Sequence, residues 1–332
     1  MKGRLILAGA LAAALPALPA TARAQGQCPA GTLASREQIT QDICQKSVDL
    51  FNYMAPQLGT AIAGGNATLG QGGTLGGLGH FVVGVRANAV MGTLPQADKI
   101  QASYTGRSAD TLATTAQVLP MPTVDAAIGV FKGLPLGVTS VGGIDLLVNA
   151  SYIPEYSGSN VELTAPNGSL QLGFGARLGL LQESLVVPGL SVSYMVRDLP
   201  TLNLTGSDGN GSQMSVEGFQ VKTRAWRATA SKNLLILGLA VGAGQDTYSS
   251  QATVQGSATQ GGLGYASDRI AMEQKLTRTN YFVDASMNLM VLKLVGEIGM
   301  VQGGTVETFN QFADKAADAS RMYGSVGVRV GF

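Results

Sequence analysis

The chain has 332 residues, 45 of them glycine, with 13% charged residues and one histidine, against roughly a quarter charged and about 7% glycine in soluble domains. Mean hydropathy is +0.20, yet beyond the N-terminus no apolar run approaches the ~20 residues of a membrane helix. A formal charge of +1 without a basic stripe excludes nucleic acid as a partner, and 45% hydrophobic residues in steady alternation exclude disorder. What remains is a β-rich protein, either a large secreted sheet or a transmembrane barrel.

Lys2 and Arg4 precede an apolar stretch over residues 5–20, and Ala22, Arg23 and Ala24 form a small-x-small site. This pattern predicts a signal peptide over residues 1–24 and an exported mature chain. Pro16 and Pro19 break the stretch and argue against a membrane anchor. Cleavage removes Lys2, Arg4 and Arg23 and no acid, so the formal charge falls from +1 to −2. Cys28 and Cys44 are the only cysteines, and in an exported chain they are expected to form a disulfide. Two thiols and the single distant His80 cannot complete a four-ligand metal site; no metal or cofactor is expected.

Residues 25–78 form a separate N-terminal segment. Ser35 and Gln38 fit a capping box, and Ile39, Ile43, Phe51 and Met54 lie on one face, predicting an amphipathic helix over about 36–55 that Pro56 stops. Glu37, Asp42 and Asp49 offset Arg36 and Lys46, which does not suit a membrane-surface helix. Between Gly59 and Gly79 glycines are dense but no Gly-Lys-Ser/Thr follows, so a phosphate loop is excluded. The segment reads as an extended chain passing close to other backbone or as a flexible linker.

From residue 79 to 332 the period is two. Ten strands are expected near 79–91, 122–132, 141–153, 168–181, 188–199, 215–230, 234–248, 276–289, 291–303 and 320–332. The connections alternate between long and polar (92–121, 154–167, 200–214, 249–275, 304–319) and short (182–187, 231–233, 290), with 133–140 intermediate, the rhythm of a transmembrane barrel. Leu170, Leu172, Phe174, Ala176, Leu178 and Leu180 alternate with Ser169, Gln171, Gly173, Gly175, Arg177 and Gly179, one face for lipid and one for the lumen. The polar parity also carries Arg86, Asp125, Asp145, Arg197, Lys222, Arg224, Asp246, Arg278, Asp284, Lys293, Glu297, Arg321 and Arg329 as lumen candidates, whose mixed signs can pair. Phe219, Val221, Thr223 and Ala225, read as lipid-facing, place Trp226 inward and Arg227 outward, a conflict that a bulge or the membrane interface would resolve.

The last strand places Met322, Val326, Val328 and Val330 on one face and ends in Phe332. With the signal peptide and loop rhythm, it resembles the outer-membrane β-barrel proteins of Gram-negative bacteria, whose terminal strand is read by the barrel-assembly machinery. The resemblance implies an outer-membrane location, contact with outer-membrane lipid, and Phe332 as assembly signal. Counting back from a periplasmic C-terminus puts Gly79, and hence the start of the helix, on the periplasmic side. A helix about 10–12 Å across exceeds an interior that side chains nearly fill, so the helix is expected beneath or beside the barrel, with only the glycine-rich segment able to thread it.

An N-terminal plug before a barrel, with the stretch from Pro120, Met121 and Pro122 to Gly133, Leu134 and Pro135, is similar to the long-chain fatty acid and hydrocarbon transporter family. That likeness implies passive uptake of small hydrophobic solutes, with Arg86, Arg177 and Arg224 nearest an acidic headgroup. The alternative is a non-transporting envelope or adhesion barrel acting through its external loops, above all 206–212 and 309–319. Enzymatic activity is not expected: nucleophile activation commonly needs a base, and His80 lies at the periplasmic start of the first strand.

Overall fold

The computed structural model describes Cys28 and residues 35–66, 70–158 and 160–332. The expected signal peptide lies outside these residues, as do the side chains of Ser35, Arg36 and Glu37 and with them the capping box. Among the described residues, no helix is long and apolar enough to cross a membrane.

Ten long antiparallel strands close into a barrel: β1 (Phe81–Pro95), β2 (Thr114–Phe131), β3 (Gly143–Tyr152), β4 (Leu170–Leu181), β5 (Gly189–Asp198), β6 (Ser212–Leu234), β7 (Leu237–Gln260), β8 (Ile270–Leu289), β9 (Leu292–Val301) and β10 (Arg321–Gly331). Each pairs with its sequence neighbours, and β1 closes on β10, where Val82 to Val90 face Gly331 to Tyr323. Where β1 and β10 pair, from Val82 to Val90, closure leaves no open edge. Short turns gather at the end bearing Phe81 and Phe332, long loops at the other. Five strands run further than their lipid-facing pattern indicates: β2, β7 and β8 continue well into the segments expected as loops, and β1 and β6 by a few residues.

The outer face follows the expected alternation on most strands. Val83 and Val85, Ile144 and Leu146, Leu172 and Phe174, Leu239 and Val241, Val283 and Met287, and Ile298 and Met300 are all exposed on it. A continuous apolar exterior over a polar interior is the chemistry of a wall that faces hydrocarbon, so the chain folds as a transmembrane β-barrel.

Helix α1 (Ser35–Ala63) corrects three expectations. It lies inside the barrel, not beneath or beside it, packing against β6 and β7 and also touching β1, β8 and β10. It fits because its lower half is slim, with Ala55, Gly59, Thr60, Ala61 and Ala63, and because the wall carries glycine where the upper half comes closest. A Cβ on Gly256 of β7 would stand 2.8 Å from the Ile43 carbonyl carbon, an approach only glycine allows. The helix also begins at the long-loop end, beside Gly256, and descends toward the short turns. Finally, it continues through Pro56. Proline withdraws the N–H that would bond to the Asn52 carbonyl; Gln274 Nε2 of β8 donates to that oxygen instead, at 3.5 Å.

The buried helix also explains the Trp226 conflict. Between Glu217 and Gln220 the register of β6 on β7 shifts by a bulge, with Gly218 at φ +62. Met214 and Val216 above the bulge and Phe219, Val221, Thr223 and Ala225 below it all face inward. Phe219 packs edge-on against Phe51 of α1, ring centroids 5.4 Å apart. Apolar residues there meet the helix and not lipid, so the parity is the reverse of the expected one. Trp226 faces out, 43% exposed, next to Tyr194 across the ladder, and Arg227 faces in. Trp226 is the only tryptophan. In vesicles its emission should be blue-shifted and quenched by lipids brominated on the acyl chain; an emission insensitive to those lipids would put it back inside.

Candidate functional site

The site is the lumen and what fills it. From the long-loop end, residues 39–57 of α1 are buried on every side, including Asp42, Gln45, Lys46, Asp49 and Asn52. A buried polar side chain needs a partner, and here the long loops supply it. Asp42 accepts from the backbone N–H groups of Ser103 (2.8 Å) and Ser108 (3.0 Å) and from Lys46 Nζ (2.8 Å), which also donates to the Gln101 carbonyl. Asp49 accepts from the N–H groups of Phe309 (3.0 Å) and Asn310 (2.9 Å) and from Asn310 Nδ2 (2.7 Å). Tyr53 stacks on Phe312 at 3.7 Å, and residues 311–312 pair with 111–112 as a small parallel ladder over the helix. Loops 96–113 and 302–320 are therefore folded down onto the plug.

Below this cap, Gln57 completes the wall. Its amide accepts from Thr93 N–H (2.8 Å) and donates to Thr93 O (3.1 Å), above Val90, where β10 no longer pairs with β1. The helix then ends on arginines. Arg227 Nη2 (2.9 Å) and Arg197 Nη1 (3.3 Å) donate to the Ala63 carbonyl, and Arg86 Nη1 (3.5 Å) to that of Gly64. The last turn of α1 holds no basic residue of its own; its open carbonyls, the negative end of the helix dipole, are met by cations from the wall. Arg86 pairs with Asp125 at 2.7 Å and Arg227 with Asp246. Asp246 also accepts from Asn280 Nδ2 (3.0 Å) and Tyr248 Oη (3.3 Å).

The glycine-rich segment continues to the short-turn end as a strap held by carboxylates. Glu297 accepts the Asn66 N–H (2.9 Å), Asp284 that of Gly70 (2.9 Å) and Asp145 that of Leu75 (3.1 and 3.2 Å). Asp145 is paired with Arg177 at 2.6 Å, Lys293 Nζ donates to the Gly70 carbonyl at 2.7 Å, and Arg329 bonds Gln71. Close approach to the wall suits a segment dense in glycine, the first of the two readings above.

Of the lumen candidates, Arg86, Asp125, Asp145, Arg177, Arg197, Arg278, Asp284 and Glu297 lie on the inner face, and Lys293 and Arg329 at its short-turn rim. Lys222 and Arg224 do not: both are exposed on the outer face, because the apolar residues they alternate with, Phe219, Val221 and Ala225, face the buried helix and not lipid. Arg278 points at loop backbone, donating to the carbonyls of Gln302 (2.7 Å) and Ala319 (2.6 Å). Arg227, read outward from sequence, proves central; its signal was the pair of Trp226 and Arg227 itself, since the aromatic suits the lipid face and the guanidinium the lumen. His80 is exposed at the short-turn end, just before β1.

Cys28 and Cys44 are bonded, with Cα atoms 6.0 Å apart and a separation of 16 residues, and fasten the start of the plug at the long-loop end. Closing a loop of this size constrains the unfolded chain by about 3 kcal/mol. Cys28→Ser with Cys44→Ser should therefore lower unfolding stability in detergent by roughly that amount; an unchanged urea midpoint would show that the bridge adds nothing to the seating.

No protein family model matches the chain, and no curated protein sequence is similar to it. Solved structures are. The translocator domain of autotransporter NalP from Neisseria meningitidis is 10% identical over 87% of this chain and 98% of its own, with a TM-score of 0.42. The outer membrane protease OmpT from Escherichia coli is 10% identical over 76% and 95%, with a TM-score of 0.34. The toluene transporter TodX of P. putida is 11% identical over 76% and 89%, with a TM-score of 0.28.

Proposed function

We propose that this chain is a bacterial outer-membrane barrel kept closed by its own N-terminal segment, acting at the face that carries its long loops as an envelope or adhesion protein and not as a pore or an enzyme. The observation that carries the reading is the burial of α1 along the lumen, with loops folded over one end and the strap tied to the wall at the other. Passive uptake, which the plug-and-barrel pattern first suggests, needs a path through the lumen or sideways through the wall. The first is filled by hydrogen-bonded protein, and the second is crossed by the ladder from β1 round to β10 and, above Val90, by Gln57 bonded to Thr93. Long loops at one end and short turns at the other support an outward-facing working surface, with loops 96–113 and 302–320 as its fixed floor.

Liposome swelling with the full oxidised chain tests this. The expected result is no swelling above protein-free vesicles for sugars or for small aromatic solutes. Swelling that depends on solute size would overturn the reading in favour of uptake.

A further inference from the structure

The short-turn end has an unusual surface. Turns of membrane barrels that meet water are ordinarily built from Gly, Asn and Asp, whereas here the tips are apolar: Leu136 and Val138, Leu185 and Val186, Leu235 and Ile236, Met290 and Val291. All are exposed, Leu235 at 97% and Met290 at 102%. Both of these also hold positive φ, 56° and 54°, a region in which glycine or asparagine is the easier choice. Large apolar side chains thus stand fully exposed where backbone geometry and water would each favour something else.

Three further observations indicate what covers them. First, at two turns the apolar exterior runs on into the tip: Leu237 and Leu239 lead to Leu235, and Met287 and Leu289 to Met290, all exposed. Second, the dimensions require it. On β6 the upper limit of the lipid band is marked by Trp226, with Arg224 and Lys222 exposed above it. From Trp226 to Leu234 the strand covers about 26 Å at ~3.3 Å per residue, or about 20 Å along the axis at a tilt of ~40°, against a band about 25 Å tall. The turn at 235–236 falls inside that band. Third, at the 182–188, 235–236 and 290–291 turns, polar groups are met by the protein itself, as a lipid setting favours. Lys232 Nζ donates to the carbonyls of Ser184 and Leu185, each at 2.7 Å; Asn288 N–H donates to Ile236 O at 2.7 Å and Gly331 N–H to Val291 O at 3.2 Å.

We propose that the short-turn rim is a lipid-binding surface, with Val186, Leu235 and Met290 inserted among the acyl chains of the nearer leaflet. The occupant is lipid rather than a second protein, because the rim is continuous with the lipid-facing wall and completes its height.

The test places single tryptophans at the rim in a Trp226→Phe background: Val186→Trp, Leu235→Trp and Met290→Trp, each in the full chain, in vesicles of phosphatidylcholine with or without bromine on the acyl chains. The expected result is at least about a twofold loss of emission in brominated vesicles and little quenching by aqueous iodide. Strong iodide quenching without a bromine effect would overturn the proposal in favour of an aqueous rim. Protection from both quenchers would overturn it in favour of a protein partner or a second copy. Should a variant fail to assemble, the unaltered chain can be labelled with a carbene-generating phospholipid; peptides containing 235–236 and 290–291 should be labelled as strongly as those of the outer wall, and their absence from the labelled set counts against the proposal.

Discussion

Asp246→Ala is expected to destabilise the barrel by about 3–5 kcal/mol, the cost of leaving one partner of a buried ion pair without its counter-charge. Asp246 is fully buried and is the carboxylate at the Arg227 guanidinium, which also caps the end of α1. Its removal leaves Arg227 charged in a desolvated lumen and withdraws the acceptor used by Asn280 and Tyr248. Urea unfolding in detergent, followed by Trp226 emission, reads the effect. The double variant Arg227→Met with Asp246→Leu should recover part of the loss, because no charge is then stranded; what persists is the missing donor to Ala63, about 1.5–3 kcal/mol for a bond from a charged group. A single variant as stable as the unaltered chain would mean that water reaches the pair and that the plug seat is not closed.

Gly256→Val is expected to unseat the plug. The added Cβ would meet backbone atoms, the Ile43 carbonyl carbon at 2.8 Å and Cys44 Cα at 3.0 Å, and neither can rotate away as a side chain would. Overpacking of this kind costs about 1–3 kcal/mol even where neighbours can shift. Here the helix has to move relative to β7, pulling Asp42 and Asp49 from the loop amides they hold. Planar-bilayer recordings should then show openings that the unaltered chain lacks, and proteolysis should cut within residues 35–63. Gly264→Val, where no neighbour lies within 4 Å of the added carbon, is the matched control and should behave as the unaltered chain. A Gly256→Val barrel that stays closed and protease-resistant would refute the tight seating of α1 on the wall.

Most of the barrel is legible in the sequence because lipid imposes a strict rule on alternate residues. Where a strand has lipid on one side and a polar lumen on the other, as in Leu170–Leu181, the two residue sets separate cleanly and the strand can be placed within a few positions. The rule loses its meaning where the interior is apolar as well. Residues 214–225 and 270–276 line the upper lumen against α1, so Phe219 and Val221 look lipid-facing while pointing at Phe51 and its neighbours. The misplaced helix, the reversed β6 and the outward Lys222 and Arg224 are thus one error with one physical cause, an apolar object inside the barrel. The continuation past Pro56 was equally out of reach, since the donor that replaces the lost bond is Gln274, a residue 222 positions away. The strap contacts were hidden for a related reason: Glu297, Asp284 and Asp145 bind backbone N–H groups of residues 66, 70 and 75, and a backbone amide leaves no mark in the sequence.

The direction of α1 has a consequence for topology. A barrel with an even number of strands returns the chain to the side on which it entered, so β1 begins and β10 ends at the same rim. The helix adds an eleventh passage through the membrane plane, inside the wall and not as part of it, and makes the total odd. Cys28 and Phe332 consequently face opposite compartments. A tag joined next to Cys28 should be reached by antibody on intact cells and one joined next to Phe332 only after permeabilisation, which makes assembly of this barrel inseparable from carrying its own leading segment across the bilayer.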